Sequence, residues 1–148
     1  MYDSSNDTYK HIEKVQELMK AFIEDLNFFS LSHDYSKLET PEKEIFDIYT
    51  PKLKECTYGS DEYKTYLKEM QIALDHHYEL HRHHPEHFKN GIKEMDLVDL
   101  IEMICDWKAA TLRHDDGDIS KSIEINQERF GYSDELKQIL LNTVENYF

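Results

Sequence analysis

The sequence predicts an all-α fold, a compact bundle of about six helices, on three observations. Apolar residues recur at three–four spacing along most of the chain. Glycine and proline are scarce, at 4 and 3 of 148 residues. Strand-like alternation is hard to find. A chain of this length suits one domain, residues 1–148, and can bury about 70% of its unfolded surface without disulfide or metal staples.

The first helix is expected from about Asp7 to Leu26. Ile12, Val15, Leu18, Met19, Phe22, Ile23 and Leu26 form its stripe, which should face a core. The connection "HDYSK" follows. Thr40 then reads as an N-cap, with Pro41 in the first helical position. That second helix carries Ile45, Phe46 and Ile48 and should be interrupted or kinked near Pro51. "TYGSDEY" is a turn with Ser60 as an N-cap. The third helix carries Tyr63, Tyr66, Leu67, Met70 and Leu74, and should stop near His83, because Pro85 pushes His84 out of the helical region. "PEHFKNGIKEM" reads as a loop. Asp96 caps a helix from Leu97 to about Arg113, and "HDDGD" is a turn. A helix from about Ile119 to Phe130 ends at Gly131, a left-handed C-cap. Ser133 caps the last helix, Asp134 to about Tyr147. There is no internal repeat and no low-complexity linker.

Charge narrows the function classes. With 31 acidic against 17 basic residues, the formal net charge is −14. General binding to a nucleic-acid backbone needs a basic footprint, so it is not expected. A small anionic substrate stays open, because a bound cation would dominate the local field. No apolar run approaches about 18 residues, so no membrane span is expected. The N-terminus lacks the basic and apolar regions of a signal peptide. The two cysteines, Cys56 and Cys105, form no framework, which fits a reducing cytoplasm.

Six of the nine histidines lie between His76 and His87. His77 continues the apolar stripe from Met70 and Leu74, and His81 and His84 extend it if the helix persists. An imidazole aimed into a core needs a partner for each nitrogen, and a metal ion is one. A solvated His-rich surface is the blander reading. His11 precedes Val15, Leu18 and Phe22 at helical spacing, so it sits at the end of a stripe. Asp106 has apolar or small helical neighbours, so a counter-charge or a metal should accompany it. His33 and Asp34 stand side by side, and a carboxylate beside a histidine can bridge two ions. Ligands of these types on successive helices are what a one- or two-metal site in a bundle needs. His76, His87 and His114 read as surface residues.

The blocks "TYKHIEKV", "HDYSKLETPE", "HHYELHRHHPEHF" and "EMICDWKAAT" stand in an order that resembles the HD-domain superfamily of metal-dependent phosphohydrolases. The pattern is similar to a small, largely uncharacterised HD-like family of phages and bacteria, over about residues 8 to 143. The resemblance implies that His11, His33, Asp34 and Asp106 hold one divalent ion. His77, with one or both of His83 and His84, would hold a second, sharing Asp34. Manganese or iron is the expected ion, with nickel, cobalt, zinc or magnesium as others. Two departures stand out: "HHPEHF" replaces the Gly-Tyr-Pro signature of signalling phosphodiesterases, and Lys37 stands where the nucleotidase branch often has an acid.

The implied activity is hydrolysis of a phosphate ester or anhydride, in a nucleotide or a related small anion. Asp34 and Lys37 are the catalytic candidates. Lys37, Lys108 and Arg82 are the candidates for substrate phosphate, and Glu86 and Glu102 for orienting the ligating histidines. Two alternatives accompany this reading. One is a di-iron oxygenase of the HD type. The other is a non-enzymatic phage-type module that binds a nucleotide or a host protein. Such a protein would act in the cytoplasm, the host's if phage-encoded, and a homo-oligomer is open.

Overall fold

A computed structural model describes residues 2–57, 60–113 and 117–148. Seven α-helices and three short 3₁₀ helices account for the ordered elements of those residues, with no strand among them. The all-α expectation holds. The helices are α1 (Ser5–Ser32), α2 (Glu42–Glu55), α3 (Asp61–Glu69), α4 (Gln71–Leu80), α5 (Leu97–Thr111), α6 (Ile119–Phe130) and α7 (Asp134–Tyr147). No helix among the described residues is long and apolar enough to cross a membrane. The chain divides into two compact units, Met1–His33 and Asp34–Phe148.

The first unit is essentially α1, two turns longer than the stripe alone predicts. Ser30 and Ser32 hydroxyls return hydrogen bonds to carbonyls three or four residues back, a local bond that serines inside a helix commonly make. The apolar stripe is present, yet none of α1's residues is buried. The expectation of a core-facing stripe is therefore corrected: Phe22 and Ile23 are both exposed. His11 is exposed on the same helix.

In the second unit, α5, α6 and α7 enclose the apolar core. Met103, Ile104, Ile123, Tyr132, Leu140 and Val144 are its buried members. Trp107 stacks on Phe130 at an interplanar angle of 10°. The buried Tyr132 hydroxyl donates to the Ile123 carbonyl, which satisfies the polar end of a large apolar side chain.

The local caps follow the sequence. Ser60 accepts from the Tyr63 amide. Asp96 accepts from the Val98 and Asp99 amides, and the Asp99 side chain accepts from the Asp96 amide in return. Ser133 accepts from the Leu136 amide, and Gly131 ends α6 at φ 65°.

Four expectations need correction. Thr40 does not cap α2. Pro41 takes the cap position and the Thr40 hydroxyl turns to the Glu44 carboxylate instead. Pro51 does not interrupt α2, which continues through it to Glu55. The third helix is two helices, breaking at Met70 and ending at Leu80 rather than His83. The stretch 85–95 is not a plain loop: 3₁₀ helices cover Pro85–His87 and Gly91–Glu94. Only Gly117 and Asp118 of the "HDDGD" turn fall within the described residues. Asp118 caps α6 by accepting from the Ser120 and Lys121 amides.

Candidate metal centre

The second unit brings four potential ligands to one point: Asp34, His77, His83 and His84. Each arrives by a different local route. Asp34 precedes the 3₁₀ helix Tyr35–Leu38 and holds φ 56°, ψ 14°. That left-handed backbone is costly for most side chains, and Asp is among the few that visit it. His77 lies near the end of α4. His81 then leaves the helix at φ −112°, ψ 110°. His84 is extended at φ −98°, ψ 125°, as its position before Pro85 requires.

The exit at His81 is what lets the two outer histidines contribute. On a continued helix, His83 would point well away from His77, since six residues advance about 600° around the axis. In the structure the His77 and His83 rings are both buried, each about 1% exposed.

The donor atoms face one another closely. Asp34 Oδ1 is 3.1 Å from His77 Nε2 and 3.6 Å from His83 Nε2. His77 Nε2 is 3.0 Å from His84 Nε2. Ligands bound at ~2.1 Å lie ~3.0 Å apart along an octahedral edge and ~3.4 Å along a tetrahedral one. The separations fit a single ion. Burial, with the charges of His83, His77 and Lys37, pushes His84 down to about 2. Its imidazole is therefore neutral at neutral pH, as a metal ligand must be.

Carboxylates stand behind two of the rings. His83 Nδ1 lies 3.0 Å from Glu102 Oε1, in line with the expected orienting role of Glu102. His77 Nδ1 lies 3.0 Å from Glu42 Oε2. Glu86 takes no such part, because Arg129 on α6 engages its carboxylate.

The other expected residues separate into distinct settings. Lys37 donates to Asp34 Oδ2 at 2.6 Å and lies over the Phe46 ring. Asp106, half-buried on α5, offers an oxygen within 4.8 Å of Asp34's. Lys108 is half-buried on the same helix. His33 closes the first unit, partly buried and next in the chain to Asp34. The Arg82 guanidinium grips Asp99 through two hydrogen bonds, at 3.0 and 2.8 Å, and also reaches Asp96, so it is engaged at the α5 cap.

His87 and His76 are not plain surface residues. The His87 ring donates through Nδ1 to the Tyr78 carbonyl, and His76 Nδ1 is 2.7 Å from Glu42 Oε1. His114 lies outside the described residues.

Sequence reasoning missed Glu42 and Ser36. Ser36 Oγ lies 2.7 Å from His81 Nε2 and 3.2 Å from His77 Nδ1. Neither position carries a local signal. A glutamate after Pro41 reads as a helix-start charge, and a serine in "HDYSK" reads as turn chemistry.

Comparison with known proteins adds one match. The model of a family of unknown function, DUF5662, covers residues 1–146. No curated protein matches the chain, and no solved structure does.

Proposed function

We propose that this chain, which belongs to the DUF5662 family, is a metal-dependent hydrolase of a phosphate ester or anhydride in a nucleotide-like anion. One observation carries the reading. Three imidazole nitrogens and a carboxylate oxygen converge at single-ion spacing within the second unit, formed by Asp34, His77, His83 and His84. The likeness of the histidine and aspartate blocks to HD-domain phosphohydrolases favours phosphoryl chemistry over other uses of such a centre.

The donor set selects the kind of ion. Three imidazoles suit manganese, iron, cobalt, nickel or zinc better than magnesium or calcium, which prefer all-oxygen shells. A divalent ion held there would supply Lewis acidity, drawing the pKa of a water toward about 7 and polarising a phosphoryl oxygen. The chain's own groups do the rest. Burial of His77 and His83 keeps bulk water from their nitrogens. Lys37 neutralises Asp34 and places a cation at the site in a protein whose net charge of −14 otherwise repels anions.

The test is metal content by mass spectrometry on untagged protein, beside Asp34→Ala, followed by a nucleotide hydrolysis screen. About one or two equivalents in wild type, lost in the variant, with turnover of at least one phosphate compound, is the expected result. A protein that holds metal and retains a nucleotide without turnover is a binding module instead. A metal-free wild type removes the centre altogether.

A further inference from the structure

We propose that Glu42 is a positioning residue: buried behind His77, it holds that imidazole with Nδ1 protonated and Nε2 turned toward Asp34 and His84. The proposal rests on the metal-centre reading above.

Glu42 is the first residue of α2, at the helix end where the peptide dipoles favour an anion. Its side chain is fully buried, an expensive place for a carboxylate without partners. It has two on α4. Oε1 meets His76 Nδ1 at 2.7 Å, and Oε2 meets His77 Nδ1 at 3.0 Å.

An ionised carboxylate only accepts hydrogen bonds. Both Nδ1 atoms therefore face it as N–H donors. In a neutral imidazole, a proton on Nδ1 leaves Nε2 with its lone pair. That lone pair points where the other ligands are, 3.1 Å from Asp34 Oδ1 and 3.0 Å from His84 Nε2. Ser36 could not fix this choice alone, because a hydroxyl both donates and accepts. His76, partly exposed, holds the second oxygen and so keeps the carboxylate from rotating off His77. A carboxylate on Nδ1 also makes Nε2 a stronger donor to a metal.

The test combines a tautomer measurement with a binding measurement. Nitrogen-15 NMR of zinc-free wild type near pH 8 is expected to show His77 protonated on Nδ1 and bare on Nε2. Zinc titration is expected to show Glu42→Gln binding about ten- to a hundredfold more weakly than wild type, with unchanged helical content. A His77 protonated on Nε2, or a Glu42→Gln variant with wild-type zinc affinity, overturns the proposal while leaving the metal centre standing. A wild type that takes up no zinc overturns the centre, and the proposal with it. If Glu42→Gln does not fold, the wild-type tautomer decides alone.

Discussion

Asp34 Oδ1 and His77 Nε2 meet at 3.1 Å, joining a left-handed residue in a turn to a buried residue near the end of α4. The contact depends on backbone as much as on side chain. Asp34 reaches His77 because φ 56° turns its carboxylate back over the 3₁₀ helix that follows, where Lys37 takes the other oxygen.

Two substitutions separate these roles. Asp34→Asn keeps shape and tolerance of the left-handed region but removes the charge. Asp34→Ala removes both. Each is expected to abolish metal retention, since a ligand oxygen with full charge is lost. The metal-free alanine variant should in addition be less stable than the metal-free asparagine variant by about 1 kcal/mol, the cost of placing a Cβ-bearing residue without a compensating side chain in that region. Mass spectrometry for metal, and urea denaturation of both variants without metal, check the two halves separately.

Lys37 is the position where holding a ligand and neutralising substrate can be told apart. Lys37→Met keeps an unbranched stem and removes the ammonium, which lies 5.4 Å from the Phe46 ring centre. If the ammonium serves the developing charge on phosphate, turnover should fall about a hundredfold with metal content unchanged. Loss of metal together with turnover would instead make Lys37 a support for Asp34. Steady-state kinetics on the best phosphate compound, with metal analysis of the same preparation, gives the answer.

The features legible in the sequence are those with local causes. Ser60, Asp96, Gly131 and Ser133 cap helices through contacts within a few residues, and all four are readable from residue type and position. His77 is readable from the stripe it continues. Glu42 is not, because its role exists only once α2 packs on α4 and brings it under His76 and His77. The end of α4 is hidden for a related reason. Nothing before Pro85 forbids a helix through His81. The departure there is favoured by contacts distant in sequence, Ser36 with His81 and Glu102 with His83. The α1 stripe shows the opposite failure: its period is correctly helical, but period alone does not say that a face is buried.

The neutral histidines make a prediction about pH. Burial, with the charges of His77 and His83, holds His81 down at about 4, and similar causes hold His84 at about 2. Their unfolded counterparts titrate near 6.5. Below that value the unfolded chain takes up protons that the folded chain refuses, so stability is fully present above pH 6.5 and falls as pH drops. For His81 the loss runs from about 6.5 to about 4. Metal-free protein should therefore melt at a lower temperature at pH 5 than at pH 7, before most carboxylates titrate. His81→Asn should flatten that dependence, because asparagine keeps a partner for Ser36 but cannot bind the proton. Calorimetric scans of both proteins at three pH values test this, and equal slopes would remove His81 from the account.

Arg82 supplies the contrasting case, a histidine-cluster neighbour that serves the fold. Asp99 is nearly fully buried, and the bidentate guanidinium is its charge partner, while Asp99 also closes the capping box at the start of α5. Arg82→Ala strands that carboxylate. Breaking a fully buried pair costs about 3–5 kcal/mol. Because Arg82 itself is 41% exposed and water can reach the gap, the loss here should be nearer about 2 kcal/mol. Arg82→Lys should recover only part of it, since an ammonium cannot reproduce the two parallel hydrogen bonds. Metal stoichiometry should be unchanged in both, because neither Arg82 nor Asp99 belongs to the cluster of Asp34, His77, His83 and His84. Denaturant unfolding with metal analysis checks the pair. Metal loss in Arg82→Lys at near wild-type stability would show that the residue shapes the His83–His84 turn as well as the α5 cap.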